Sequence, residues 1–190
     1  MALISTFEVL LKPQLPKVLP PGLTTVKNLS RNVIQGYFLT IANINSIDLV
    51  LSLVFTTILP KGVDLSKIIT FTDVSGINVA GPLVLVPDSV DNKYRFSPLK
   101  LPAGATALFI LQPVPTDAAL ANPNIEARGF VEIFLSSLSG TTPLGAEIQV
   151  TAEHRGTFFA DALGEKIADR SLDQIAYSLP VQNGGRISLN

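Results

Sequence analysis

The chain has 190 residues, a length that lets one domain bury roughly 70% of the surface its unfolded form exposes. Its composition is 47% hydrophobic and 15% charged, with 14 basic and 15 acidic residues and a formal net charge of −1, which excludes the clustered positive surface that nucleic-acid binding requires. There is no cysteine, so disulfides, thiolate metal sites and cysteine nucleophiles are excluded as well.

The chain opens Met1-Ala-Leu-Ile-Ser-Thr-Phe-Glu8, without the basic start and long apolar run of a secretory signal. The longest apolar-rich stretch, residues 47–59, is interrupted by Asp48, Ser52, Thr56 and Thr57 and is too short for a membrane span. These features predict a cytoplasmic chain, with a signal removed ahead of position 1 as the alternative. Residues 10–23 carry Pro13, Pro16, Pro20 and Pro21 among Leu and Val. Proline removes backbone donors and fixes φ, so this stretch is expected to be extended and to hold no helix or central strand. Residues 1–30 are therefore expected to form an apolar, proline-rich arm. Leu15, Val18 and Leu19 are its candidate contacts, either with its own domain or with a neighbouring subunit.

Residues 31–190 read as one β domain. Residues 37–42 are short, aromatic and β-branched, ending at Asn43-Ile-Asn45. Over residues 48–58, Leu49, Leu51, Leu53 and Phe55 fall on one face at period two, the mark of a strand with one buried face. Residues 68–73 form another short strand, and Pro82 and Pro87 bracket an apolar run suited to a sheet edge. Tyr94 and Phe96 alternate with Lys93 and Arg95. The cations and aromatics then face opposite sides, a core-and-surface pattern rather than a stacking platform for bases. Residues 105–111 are apolar on both faces and predict a central strand. Residues 112–124 hold three prolines and predict a loop with one helical turn at 117–121. Val131, Ile133 and Leu135 share one face, as do Ile148, Val150 and Ala152, and the short connection between them predicts a hairpin over residues 127–155. Leu163 to Ile167 is the helix candidate, weakened by Gly164, and residues 175–179 are a last strand.

About eight short strands with Gly/Pro turns predict an all-β fold, an antiparallel sandwich or jelly roll. The segments Glu153-His-Arg-Gly-Thr-Phe-Phe159 and Leu172-Asp-Gln-Ile-Ala-Tyr-Ser-Leu-Pro180 resemble the ending of uncharacterised small β-sandwich proteins of cyanobacteria. The strand order and the Ile-Ala-Tyr ending are also similar to sensory-rhodopsin-transducer-like sandwiches. The resemblance implies a sandwich and carries no site residues with it.

No catalytic, cofactor or metal site is expected. His154 is the single histidine, with no Gly-x-Ser-x-Gly nucleophile elbow to serve; a strand-end imidazole bonded to a loop accounts for it. Asp161, Glu165, Asp169 and Asp173 alternate with Lys166 and Arg170 as surface ion pairs, and lack the dense glycine-broken pattern of a calcium loop. Val50, Val54, Phe130 and Phe134 are apolar on the outer faces of their strands, where only a partner or a second layer could cover them. Together with the charge-poor surface they predict a non-catalytic structural subunit that associates with itself as an oligomer, shell or fibre. The alternative is a transducer-like module that binds a protein or small ligand through loops such as 112–124.

Overall fold

Leu49, Leu51, Leu53 and Phe55 are almost wholly buried, while Val50, Ser52 and Thr56 between them are only half-buried, so alternation builds the strand here as expected. The computed structural model describes residues 1–15, 31–59, 65–87, 92–139, 145–160 and 172–189. Their strands are β1 (Ala2–Pro13), β2 (Arg31–Asn43), β3 (Leu49–Thr57), β4 (Ile68–Val74), β5 (Ile77–Ala80) and β6 (Val84–Leu85). The series continues with β7 (Lys93–Leu101), β8 (Thr106–Pro113), β9 (Ile125–Leu135), β10 (Ala146–Ala160), β11 (Leu172–Ser178) and β12 (Arg186–Leu189). One short helix, α1 (Asp117–Ala121), falls where the loop was expected to turn, its first turn capped by the Thr116 hydroxyl accepting from the Ala119 N–H at 3.1 Å.

The fold is all-β, and its strand pairings are antiparallel throughout the described residues. Among the described residues the sheet has twelve strands rather than about eight. Two of the additional strands (β5 and β12) have four residues each, too short to leave a periodic signal, while β6 lies in the run between Pro82 and Pro87 expected at a sheet edge. The order runs β5-β4-β8-β2-β1-β9-β3-β7-β6, with β10 along the other edge of β2, and β11 and β12 both on the far edge of β10.

β2 is the hub. One of its edges pairs with β10 along its whole length; the other is shared, residues 37–42 with β8 and residues 32–35 with β1. The sheet therefore divides into two limbs that meet where β1 leaves β2, and it curls so that the limbs face one another. Phe55 of β3 stacks on Phe109 of β8 at 5.2 Å, and Phe96 of β7 meets the same ring edge-on at 5.1 Å, although neither strand pairs with β8. These rings belong to a single core to which all the longer strands contribute. A smaller cluster of Leu11, Leu120, Ile125 and Phe159 lies under α1.

Two irregularities place side chains. β3 and β7 slip by one residue between Leu51 and Leu53, so that Ser97 and Pro98 together oppose Ser52; the bulge accommodates a proline within a paired strand. β1 and β9 slip between Leu3 and Ser5, which turns both Ile4 and Ser5 into the core.

Two sequence expectations are corrected. Residues 10–13 are not excluded from the sheet, because they end β1, which lies between β2 and β9. Residues 127–155 do not form a hairpin: β9 pairs with β1 and β3, whereas β10 pairs with β2, β11 and β12. Alternation identified the buried face of each strand correctly but carries no information about which strand lies alongside. The helix candidate at 163–167 lies outside the described residues.

Candidate functional site

His154 sits in the middle of β10, opposite Tyr37 of β2 and Tyr177 of β11. It is not at a strand end and its partners are strands, not a loop. Only 5% of its surface is exposed. Its Nε2 accepts the backbone N–H of Glu8 at 2.9 Å, so the ring is neutral with its proton on Nδ1. Nδ1 lies 2.9 Å from the Tyr177 hydroxyl. That hydroxyl donates to Gln35 Oε1 at 3.4 Å, and Gln35 Nε2 donates to the Glu8 carboxylate at 3.1 Å. Arg128 ion-pairs with the same carboxylate. The circuit starts at the backbone of Glu8 and returns to its side chain.

Burial holds the His154 imidazole below its ordinary range, and the nearby Glu8 carboxylate opposes this only in part. Burial likewise raises the Tyr177 hydroxyl, with the Glu8 charge adding to the effect. Further along β1 and β9, a hydrogen bond from Lys12 is the main reason the Glu126 carboxyl lies below its usual range. A buried hydroxyl pair, Tyr37 with Ser5 at 2.7 Å, is separate from the circuit.

This arrangement pairs the polar groups of the circuit with one another. The imidazole lone pair is occupied by a backbone donor, and the nearby serine, Ser5, binds Tyr37 instead. A catalytic base must have a nitrogen available to a nucleophile. Among the described residues no three His, Asp or Glu side chains are grouped as metal ligands, and no helix is long and apolar enough to cross a membrane.

The residues picked out as contacts do not form one patch. Phe130 is 38% exposed and Phe134 half-buried, both on the outer face of β9. Leu15 is half-buried just past the end of β1. Thr6 is the β1 residue opposite Phe130, and the strand from Thr6 to Pro13, about 23 Å, lies between it and Leu15. Val54, expected to be open on that face, is buried between its cross-strand neighbours Glu132 and Arg95. Val18 and Leu19 lie outside the described residues.

One strongly exposed apolar strand, β5, is a feature the sequence did not single out, whereas β6 falls in the run between Pro82 and Pro87 expected at a sheet edge. In β5 every side chain is exposed, with Ile77 at 67% and Val79 at 56%. The β4–β5 turn is made by Ser75 and Gly76, both with positive φ, which suits a tight hairpin. Val84 and Leu85 of β6, and Ile175 and Tyr177 of β11, are also exposed. Among the described residues no strand pairs with the outer edges of β5, β6 or β11. A signal was present in the sequence, since Ile77-Asn-Val-Ala80 is an apolar run without charge, but its brevity hid it.

A cleft of about 480 Å³ lies beside α1, lined by Ser66, Lys67, Thr116, Asn122 and Asn124 among others. It includes part of the loop at 112–124. No family model, no curated protein and no solved structure matches this chain.

Proposed function

We propose that this chain is a non-catalytic structural subunit, a sandwich-like β domain that associates with copies of itself through the edges of its curled sheet. The observation that carries this reading is β5, a four-residue edge strand with Ile77 and Val79 exposed and neither a charge nor a proline within it. Edge strands that must stay single are normally guarded by lysine, proline or a bulge. A net charge of −1 adds little repulsion between copies. The buried, fully engaged His154 supports the non-catalytic part of the reading.

The test is sedimentation velocity of the wild type beside the Ile77→Lys/Val79→Lys double variant, over a hundredfold range of concentration. The expected result is an oligomer in the wild type and a smaller species in the variant. A wild type that remains monomeric throughout refutes the reading. A second reading, a module that binds through its loops, is favoured by the cleft beside α1. It predicts that Asn122→Trp abolishes ligand capture while the oligomeric state is unchanged.

A further inference from the structure

At the point where the two limbs meet, a strand edge is closed by a side chain. Leu10 is the first residue of β1 in register with β2, opposite Gln35. Glu8 lies two residues earlier, so its N–H points along the same edge. There the partner has gone: from Tyr37 onward that edge of β2 belongs to β8. His154 Nε2 takes the Glu8 N–H in place of a strand carbonyl. Without it a backbone donor in a largely buried position would be left unpaired.

We propose that His154 is an acid-released latch across the β1–β2 seam, closing the edge at Glu8 when neutral and letting β1 part from β2 and β10 when it takes a proton. The chemistry lies in which atoms donate. Protonated imidazole carries hydrogen on both nitrogens, so Nε2–H would face the Glu8 N–H, donor against donor. The bond is lost and cannot be recovered by rotating the ring, because Nδ1 is also a donor in that state.

The groups facing the imidazole are Glu8 from β1, Tyr37 and Gln35 from β2, and Tyr177 from β11, with Arg128 of β9 reaching the site through Glu8. On β10 itself, Glu153 and Arg155 pair with each other at 2.9 Å. Glu8 is the group that could favour an imidazolium, but its carboxylate is already held by Arg128 and Gln35. Burial therefore outweighs it, in agreement with the downward shift of the imidazole. Opening the seam would uncover the core face of β1 next to Glu8, where Phe7 and Val9 are buried in the closed form. The latch does not depend on the self-association reading.

With one histidine in the chain, the imidazole Cε1–H gives a single NMR signal that needs no assignment. The experiment follows this signal and the Glu8 amide protection factor, corrected for intrinsic exchange, in the intact chain from pH 8 to pH 4.5. The expected result is a titration midpoint below 6.5, the ordinary value, with Glu8 protection falling about tenfold over the same interval, as loss of a bond to a buried donor implies. In His154→Gln, whose carboxamide oxygen can accept the same N–H and does not titrate, protection should stay flat. A midpoint at or above 6.5, an unchanged Glu8 amide in the wild type, or the same fall in both proteins overturns the proposal. If the glutamine variant does not fold, the two wild-type readouts decide.

Discussion

The Ser5–Tyr37 pair allows the packing logic of the core to be tested with little disturbance. Tyr37 is fully buried, its ring tilted against Phe7 at 5.9 Å and edge-on to Phe55 at 6.5 Å. Its hydroxyl meets Ser5 Oγ at 2.7 Å, and burial raises the phenol well above its ordinary range. Tyr37→Phe keeps the ring contacts and removes one hydroxyl; Ser5→Ala removes the other. Each single change leaves a buried hydroxyl unpaired and should cost about 1–3 kcal/mol, whereas removing both leaves no polar atom unsatisfied. The double variant should therefore be more stable than the sum of the singles by about 1.5 kcal/mol. At a urea slope of about 2–3 kcal/mol/M this is a midpoint difference of about 0.5–0.8 M. Urea unfolding of the four proteins at neutral pH measures it. Additivity to within about 0.5 kcal/mol would mean that the two hydroxyls are not coupled and that the reasoning is wrong.

Three other predictions test different parts of the fold. Gly129→Ala should destabilise by about 3 kcal/mol, because a Cβ there would overlap the Thr56 carbonyl oxygen on the paired strand; an unchanged urea midpoint would refute the close approach. Asn43→Ala should cost about 2–3 kcal/mol in the same assay, since buried Asn43 donates to the carbonyls of Ile47, Leu101 and Pro102 and accepts from Asn45. Stability should depend on pH through His154: its folded value is depressed, so the unfolded chain takes the proton first. Stability is then fully present above about pH 6.5 and is lost as pH falls from there through the folded value. Chemical denaturation between pH 8 and pH 5 should show this decline in the wild type, and a smaller one in His154→Gln.

What could be read from the sequence was whatever a single strand encodes. Leu49 to Phe55, Val131 to Leu135 and Ile148 to Ala152 carry their buried face in their own spacing. What could not be read was the identity of neighbours, as β9 and β10 demonstrate. Pro13 is instructive in another way. Its missing N–H would point away from β2, on the side where β9 lies, yet the last β1–β9 pair is Leu11 with Ile125. The absent donor therefore falls where there is no strand to receive it, and the proline costs the sheet nothing. The His154 circuit was invisible for the same reason as the pairing. Glu8 and Gln35 come from strands more than a hundred residues away in sequence, and no local motif could mark them.

The strand edges are not equivalent as sites of association. β6 has two residues and β12 four, and alternate residues of β12 are buried, so neither presents much to a second chain. β5 offers four residues and strongly exposed apolar side chains; β11 offers seven, with Ile175 and Tyr177 exposed. A longer edge supplies more backbone hydrogen bonds, while a more apolar one supplies more burial. These two edges also differ in their relation to His154. Tyr177 of β11 bonds the imidazole directly, whereas β5 lies at the far end of the sheet order. Protonation at Nε2 leaves the Nδ1–H bond to Tyr177 in place but puts a charge beside it, so association through β11 should change with the same midpoint as the imidazole titration, and association through β5 should not respond to it. Oligomer mass measured across that titration separates the two edges, and a mass that changes with a midpoint unrelated to His154 would rule out the coupling through Tyr177.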